Sequence, residues 1–337
     1  MWYTSSRAPL TAPPIWIRMA VLTRFRSFFK PSTLAFIKEA RATRGFSFFD
    51  FLHAYIYGRW THLYIAIGTG QHPLAQKLAP LAGWLEAHVT RGDAPAGQTE
   101  TISLADTYHG KALPLQQAKN LVLVNEDINL PDLEQVIPYK RARAIVLKNP
   151  DHIVALDCPC RSAKPNPCLP LDVCLVVGEP FASFVVEHNP GKTRWITRDE
   201  AVAIIDAEDA RGHVHHAFFK DAMLGRFYAI CNCCACCCGA IHAHQNGTPM
   251  LASSGYLAVV ADEACIACGT CADTCQFGAL ALGNLVMQVD PSKCMGCGVC
   301  VDKCPQDALA LTRDESKPAP LEIFALMEKA AVQQNKT

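Results

Sequence analysis

The 337-residue chain reads as an α+β protein in four parts. A basic, aromatic, helical region covers 1–104, a small mixed α/β cysteine-rich domain 105–252, a compact duplicated cysteine unit of short strands and turns 253–315, and a helix or tail 316–337. Three observations carry that division. All 18 cysteines lie between residues 158 and 304, an internal repeat with a 29-residue offset runs from Tyr256 to Leu311, and a stripe at helical spacing before residue 70 gives way to short apolar runs after 150. Half the residues are apolar and 31 basic side chains balance 31 acidic ones, so the chain is globular and long enough for at least two cores.

The zero net charge is segregated. Residues 1–90 hold ten Lys and Arg against three Asp and Glu, together with 16 of the 28 aromatic side chains, which makes one end +7 and the remainder −7. From Gly45 to Gly68, the residues Phe49, Leu52, Ile56, Trp60, Leu63 and Ile67 recur at three- and four-residue steps and predict one apolar helical stripe. The stripe is expected to pack on the cysteine domain or a partner subunit, with an interfacial position on anionic lipid as the second reading. Ile15–Leu22, the best candidate for a spanning segment, is eight residues broken by Arg18, and Arg24, Arg26 and Lys30 follow without a signal-peptide core. The chain is therefore expected to begin near Met1 and to work in the cytoplasm, with attachment, if peripheral, at the inner face of the membrane. It lacks the clustered Lys and Arg that phosphate contacts demand, so nucleic acid is not an expected partner.

In the second part, Pro131 to Leu147 reads as a helix restarted at Pro138, and Phe181 to Glu187 and His213 to Phe219 as strands. Between those strands, Thr197-Arg198-Asp199-Glu200 is a capping-box pattern ahead of a helix over 201–210, with Gly212 as its stop. Ten cysteines stand here in two groups: Cys158, Cys160, Cys168 and Cys174, then Cys231, Cys233, Cys234, Cys236, Cys237 and Cys238. The short apolar runs 152–156 and 226–230 precede the two groups, and as strands of one sheet they would deliver the cysteines together. Adjacent residues have alpha carbons about 3.8 Å apart, too close for a relaxed disulfide, so such crowding points to metal. Ten thiolates suffice for two four-ligand clusters with two left over, for one cluster plus structural cysteines, or for one larger cluster; the spacing leaves these open. His213, His215, His216, His242, His244 and Arg161 are read as ordinary structural residues, Arg161 at the surface or in an ion pair. Asp206, Glu208 and Asp209 are read as a solvated helix face.

In the third part, Cys265, Cys268, Cys271 and Cys275 have the spacing C-x2-C-x2-C-x3-C, and Cys294, Cys297, Cys300 and Cys304 repeat it. Ala279-Leu280-Ala281-Leu282 answers Ala308-Leu309-Ala310-Leu311, so the duplication extends beyond the ligands. Tyr256–Val260 and Leu285–Val289 read as strands, 271–277 and 300–307 as helical turns. Structural zinc favours paired C-x2-C hooks, which this three-plus-one spacing does not supply.

This unit resembles the bacterial two-cluster ferredoxins, in which the fourth cysteine of each run ligates the other cluster. The resemblance implies a ferredoxin-like domain with one 4Fe-4S cluster on Cys265, Cys268, Cys271 and Cys304 and a second on Cys294, Cys297, Cys300 and Cys275. Pro305 follows the family pattern, whereas Gln276 stands where the first run would carry proline. With Asp-Cys-Pro-Cys-Arg at 157–161 and the 231–238 run, residues 105–315 also resemble a group of multi-cysteine iron–sulfur proteins of anaerobic metabolism, a likeness that brings no reaction with it.

The expected function is electron transfer among redox partner proteins, through two 4Fe-4S clusters and one or two further iron–sulfur clusters in the middle domain. A reductase whose middle cysteines hold a catalytic cluster is the alternative, and metal storage or delivery a third reading. No Gly-rich dinucleotide fingerprint or P-loop supports a nucleotide cofactor.

Overall fold

The computed structural model describes residues 30–77, apart from 44 and 46, and residues 104–334; Ile15–Leu22 lies outside them. The fold is mixed α and β. Its centre is a seven-stranded sheet in the order β6-β4-β5-β8-β7-β1-β9. The strands are β1 (Tyr108–Leu113), β4 (Ile153–Leu156), β5 (Cys174–Val177), β6 (Thr193–Ile196), β7 (Val214–Lys220), β8 (Arg226–Cys233) and β9 (Leu251–Ala252), while β2 (Ile128–Leu130) and β3 (Ile145–Leu147) form a separate pair. All neighbours in the large sheet are antiparallel except β1 and β9.

Side chains alternate across this sheet and build a core on each face. Ile153, Ala155, Leu175, Val177, Ala217, Phe219 and Ile230 join residues of the helices Leu115–Leu123, Arg198–Ala210 and Ile323–Gln334. Val154, Leu156, Cys174, Val176, Phe218 and Cys233 face Phe36, Ala54 and Tyr57 of the N-terminal helices and Phe181 and Phe184. The central strands β4 and β5 are apolar on both sides because both faces are covered there, giving three layers. The C-terminal unit adds two antiparallel pairs, β10 (Tyr256–Val260) with β13 (Leu309–Arg313) and β11 (Leu280–Gly283) with β12 (Val286–Val289).

The capping box forms in full: Glu200 N–H donates to Thr197 Oγ1 at 3.2 Å and Thr197 N–H to Glu200 Oε2 at 2.9 Å. Two other expectations are corrected. The segment expected as a strand from Phe181 is the helix Phe181–His188, whose Phe181, Phe184 and Val185 recur at helical spacing and bury in the core despite the β-branched pair. The helix expected over Pro131–Leu147 is absent. There the chain makes a turn in which Val136 and Ile137 N–H donate to Leu133 O, then doubles back, with Leu133 N–H bonded to Arg143 O, so that β3 pairs with β2. Pro131 and Pro138 lack the N–H that a helix interior needs.

The N-terminal stripe is also corrected. It breaks at Trp60 (φ −123°, ψ 42°) into the helices Phe48–Arg59 and Thr61–Gly68. Ala54, Tyr57, Gly58 and Thr61, not the predicted stripe, are buried against the cysteine domain. A Cβ at Gly58 would stand 2.7 Å from the Phe184 ring, so only glycine permits this approach. Phe49 remains 74 % exposed and Trp60 47 %, and Leu52, Ile56 and Leu63 are exposed beside them. Among the described residues, no helix is long and apolar enough to cross a membrane.

Candidate metal centres

The sequence duplication is a backbone duplication. Gly269 and Gly298 precede the helical turns Thr270–Thr274 and Val299–Asp302 with φ of +81° and +88°. Ala279 N–H donates to Cys275 Sγ and Ala308 N–H to Cys304 Sγ, both at 3.3 Å, so the last cysteine of each run receives the same amide. Gly296 is obligatory for packing, since a Cβ there would lie 2.2 Å from Tyr256 O. Two cavities result. One is lined by Cys265, Cys268, Cys271 and Cys304, the other by Cys275, Cys294, Cys297 and Cys300. Each cavity thus collects three cysteines of one run and the last of the other.

The middle cysteines arrive by strand register. Cys174 opens β5 directly opposite Cys231 of β8, and Cys233 lies two residues on, so all three belong to the core on one face. Cys158 follows β4, whose Leu156 pairs with Cys174. Cys160 follows in the short helix Pro159–Ser162, and Cys238 caps the helix Gly239–Gln245. All six, together with Cys234 and Cys237, line one cavity that is larger than either C-terminal one. The other four thiols, Cys168, Cys234, Cys236 and Cys237, form their own group, with ligand atoms all within 4.8 Å of one another. The ten cysteines therefore divide six and four, a division the spacing left open.

Without metal these sites hold thiols. The neighbouring Cys160 thiol, with burial, pushes the Cys158 thiol up to about 12, and burial does the same to Cys300. Crowded thiols raised in this way would ionise together most readily around a cation.

The surroundings revise several side-chain readings. Arg161 is not at the surface: it is 1 % exposed and donates to Glu208 Oε2 at 2.5 Å, Pro170 O at 2.6 Å and Asn232 O at 3.1 Å. Glu208 and Asp209 are buried rather than solvated, and Glu208 also meets His213 at 2.7 Å and Arg211 at 3.0 Å. Burial works against the Glu208 carboxylate, but hydrogen bonds with His213 and Arg161 outweigh it and hold its carboxyl below the usual range. His215 bonds Asn232 Oδ1 at 2.6 Å, and His242 bonds Ala235 O, so both are structural. His216 faces Cys231 across the β7–β8 ladder, and neither of its buried ring nitrogens has a hydrogen-bond partner among the described residues. Burial lowers that imidazole to about 3, so it is neutral.

Two features escaped the sequence reading. Tyr57, Tyr108 and Tyr228 border the six-thiol cavity, with Tyr57 and Tyr228 hydroxyls 2.7 Å apart and burial pushing all three phenols upward. Buried Lys220 stands over the Tyr57 and Tyr108 rings at 4.7 and 4.6 Å. No local motif marks them, since they come from three distant segments. Gln276 did carry a signal, as the departure from proline. Its Oε1 accepts from Ala235 N–H at 2.7 Å and its Nε2 donates to Gly212 O at 2.8 Å. It thereby ties the C-terminal unit to the turn carrying the middle cysteines. Phe277, Met295 and Val299 beside it enter the middle domain's core, so the Cys275 cavity is the inner one.

Residues 287–310 match the 4Fe-4S binding domain family. That segment contains Cys294, Cys297, Cys300 and Cys304, and the chain accordingly carries a domain for at least one 4Fe-4S cluster. No curated protein matches the chain.

Proposed function

We propose that the chain is an iron–sulfur electron relay. Two 4Fe-4S clusters occupy the C-terminal cavities, on Cys265, Cys268, Cys271 and Cys304 and on Cys275, Cys294, Cys297 and Cys300, and pass single electrons to a further cluster held by Cys158, Cys160, Cys174, Cys231, Cys233 and Cys238. The observation that carries this reading is the crossed lining of the two small cavities beside a larger one lined by these six thiols and by Cys234 and Cys237. Redox proteins would dock at the outer cluster, where Cys268 and Ile266 are exposed. Electrons would then enter the middle domain across Gln276. The three tyrosines bordering the large cavity favour, as a second reading, a reductase whose bound substrate is oriented by hydrogen bonds from these phenols.

Rapid anaerobic reduction of the full chain tests the relay. Reduction of the C-terminal clusters should be followed by a slower phase in which electrons reach the middle centre. Gln276→Leu removes the two hydrogen bonds to the middle domain, worth about 1 kcal/mol each, and should slow that phase about tenfold or more with metal content unchanged. An unaltered second phase would remove Gln276 from the path, and a single phase confined to the C-terminal clusters would remove the relay.

The exposed stripe of Phe49, Leu52, Ile56, Trp60 and Leu63, in a stretch of sequence, 1–90, with a formal charge of +7, supports peripheral attachment to anionic lipid. The protein should co-sediment with phosphatidylserine vesicles at low salt, and Phe49→Ser with Trp60→Ser should abolish this. Equal sedimentation of the double variant would exclude the stripe as the contact.

A further inference from the structure

We infer that Cys168, Cys234, Cys236 and Cys237 bind one tetrahedral metal ion of the thiophilic class, iron or zinc, in a site of their own at the edge of the six-thiol cavity. The site is built from two segments. Cys238 and Cys237 N–H both donate to Cys234 O, at 3.0 and 3.3 Å, closing a turn that gathers three of the thiols. Cys168 comes to them from the loop before β5. The sulfur of Cys168 lies 3.7 Å from Cys234 and 2.8 Å from Cys236, and Cys236 lies 3.7 Å from Cys237.

The spacing selects the occupant. Four thiolates about 2.3 Å from a single ion stand about 3.8 Å from one another in a tetrahedron. A cube spreads its four thiolates wider, because each binds a different iron and the irons stand between them. Sulfurs all within 4.8 Å of one another therefore match one ion rather than a cube. Four sulfur donors with tetrahedral geometry exclude the oxygen-preferring cations and leave iron and zinc as the fitting ions.

The position bears on the role. Cys236 is exposed and Cys168 half-buried, whereas Cys234 and Cys237 border the six-thiol cavity. A bound iron would be a one-electron port between the surface and that cavity; a bound zinc would clasp the loop of Cys168 over it. The site rests on its own four sulfurs and stands whether or not the cavity holds a cluster.

The test is metal and acid-labile sulfide analysis of the full chain purified anaerobically, alongside Cys168→Ser with Cys236→Ser. The expected result is loss of one iron or one zinc per chain with the sulfide count unchanged. Which metal falls distinguishes the port from the clasp. Loss of several irons together with sulfide would show a cluster at these residues and overturn the inference, as would no loss of metal. The unaltered protein provides the readout should the variant not fold. Mössbauer spectroscopy should find one iron without acid-labile sulfide neighbours, or zinc-edge absorption one zinc with four sulfurs and no neighbouring metal. Neither species, or a Cys168–Cys236 disulfide found by thiol titration, would overturn the site.

Discussion

Cys304→Ala should extinguish the paramagnetic signal of the outer cluster while leaving that of the inner one, and Cys275→Ala should do the reverse. The expectation is counter to sequence order, because Cys304 belongs to the second run but lines the cavity of Cys265, Cys268 and Cys271. Each substitution removes one of four thiolates and should cost about four irons per chain, read by iron analysis and by electron paramagnetic resonance of the reduced protein. If Cys304→Ala instead spares the cluster on Cys265, Cys268 and Cys271, each run binds its own cluster and the crossed arrangement is wrong.

The second large effect concerns stability. Glu208→Gln leaves the Arg161 guanidinium buried without its carboxylate, and breaking such a pair costs about 3–5 kcal/mol. The denaturation midpoint should fall accordingly. The pH dependence has a definite sign. The folded-state pKa of Glu208 is lowered, so its contribution is present above the ordinary carboxylate pKa of 4.5 and is lost as pH falls through the folded value. Glu208→Gln should flatten the acid limb of the stability profile while lowering stability at neutral pH. A variant as stable as the parent at pH 7 would mean that the Arg161 network is not a structural bolt. Because Arg161 immediately follows Cys160, failure of this bolt should also loosen the six-thiol cavity that it borders.

The C-terminal unit was legible because its repeat is local, four cysteines recurring at a fixed offset, while the crossed grouping of those cysteines came from the resemblance to two-cluster ferredoxins and not from spacing. The strand ending before Cys158 was legible as a short apolar run stopping at a cysteine, whereas the run from Arg226 continues as strand through Cys231 to Cys233. The six-and-four division was not, since Cys168 joins a turn more than sixty residues away and Cys174 reaches Cys231 only through strand pairing. Spacing contains no register. The stripe over 45–68 shows a different limit. Periodicity identifies an apolar line on a helix but not which line the core takes, and here Gly58 lets the opposite, smaller-residued face approach Phe184. Glu208 and Asp209 were misread because a charged helix face is usually solvated, and only the tertiary fold reveals the buried guanidinium that pairs with Glu208. Gln276 was visible as an anomaly, yet its reason lies in Ala235 and Gly212, on the other module.

The most direct test of an iron–sulfur relay spanning both parts of the molecule is the acid-labile sulfide content of the anaerobically purified full chain. A single thiolate-bound ion contributes no sulfide, and two 4Fe-4S clusters contribute about eight. A count clearly above eight per chain is predicted, the excess belonging to the six-thiol cavity; a count of eight or fewer in fully loaded protein would contradict a cluster there and confine the iron–sulfur chemistry to residues 265–304.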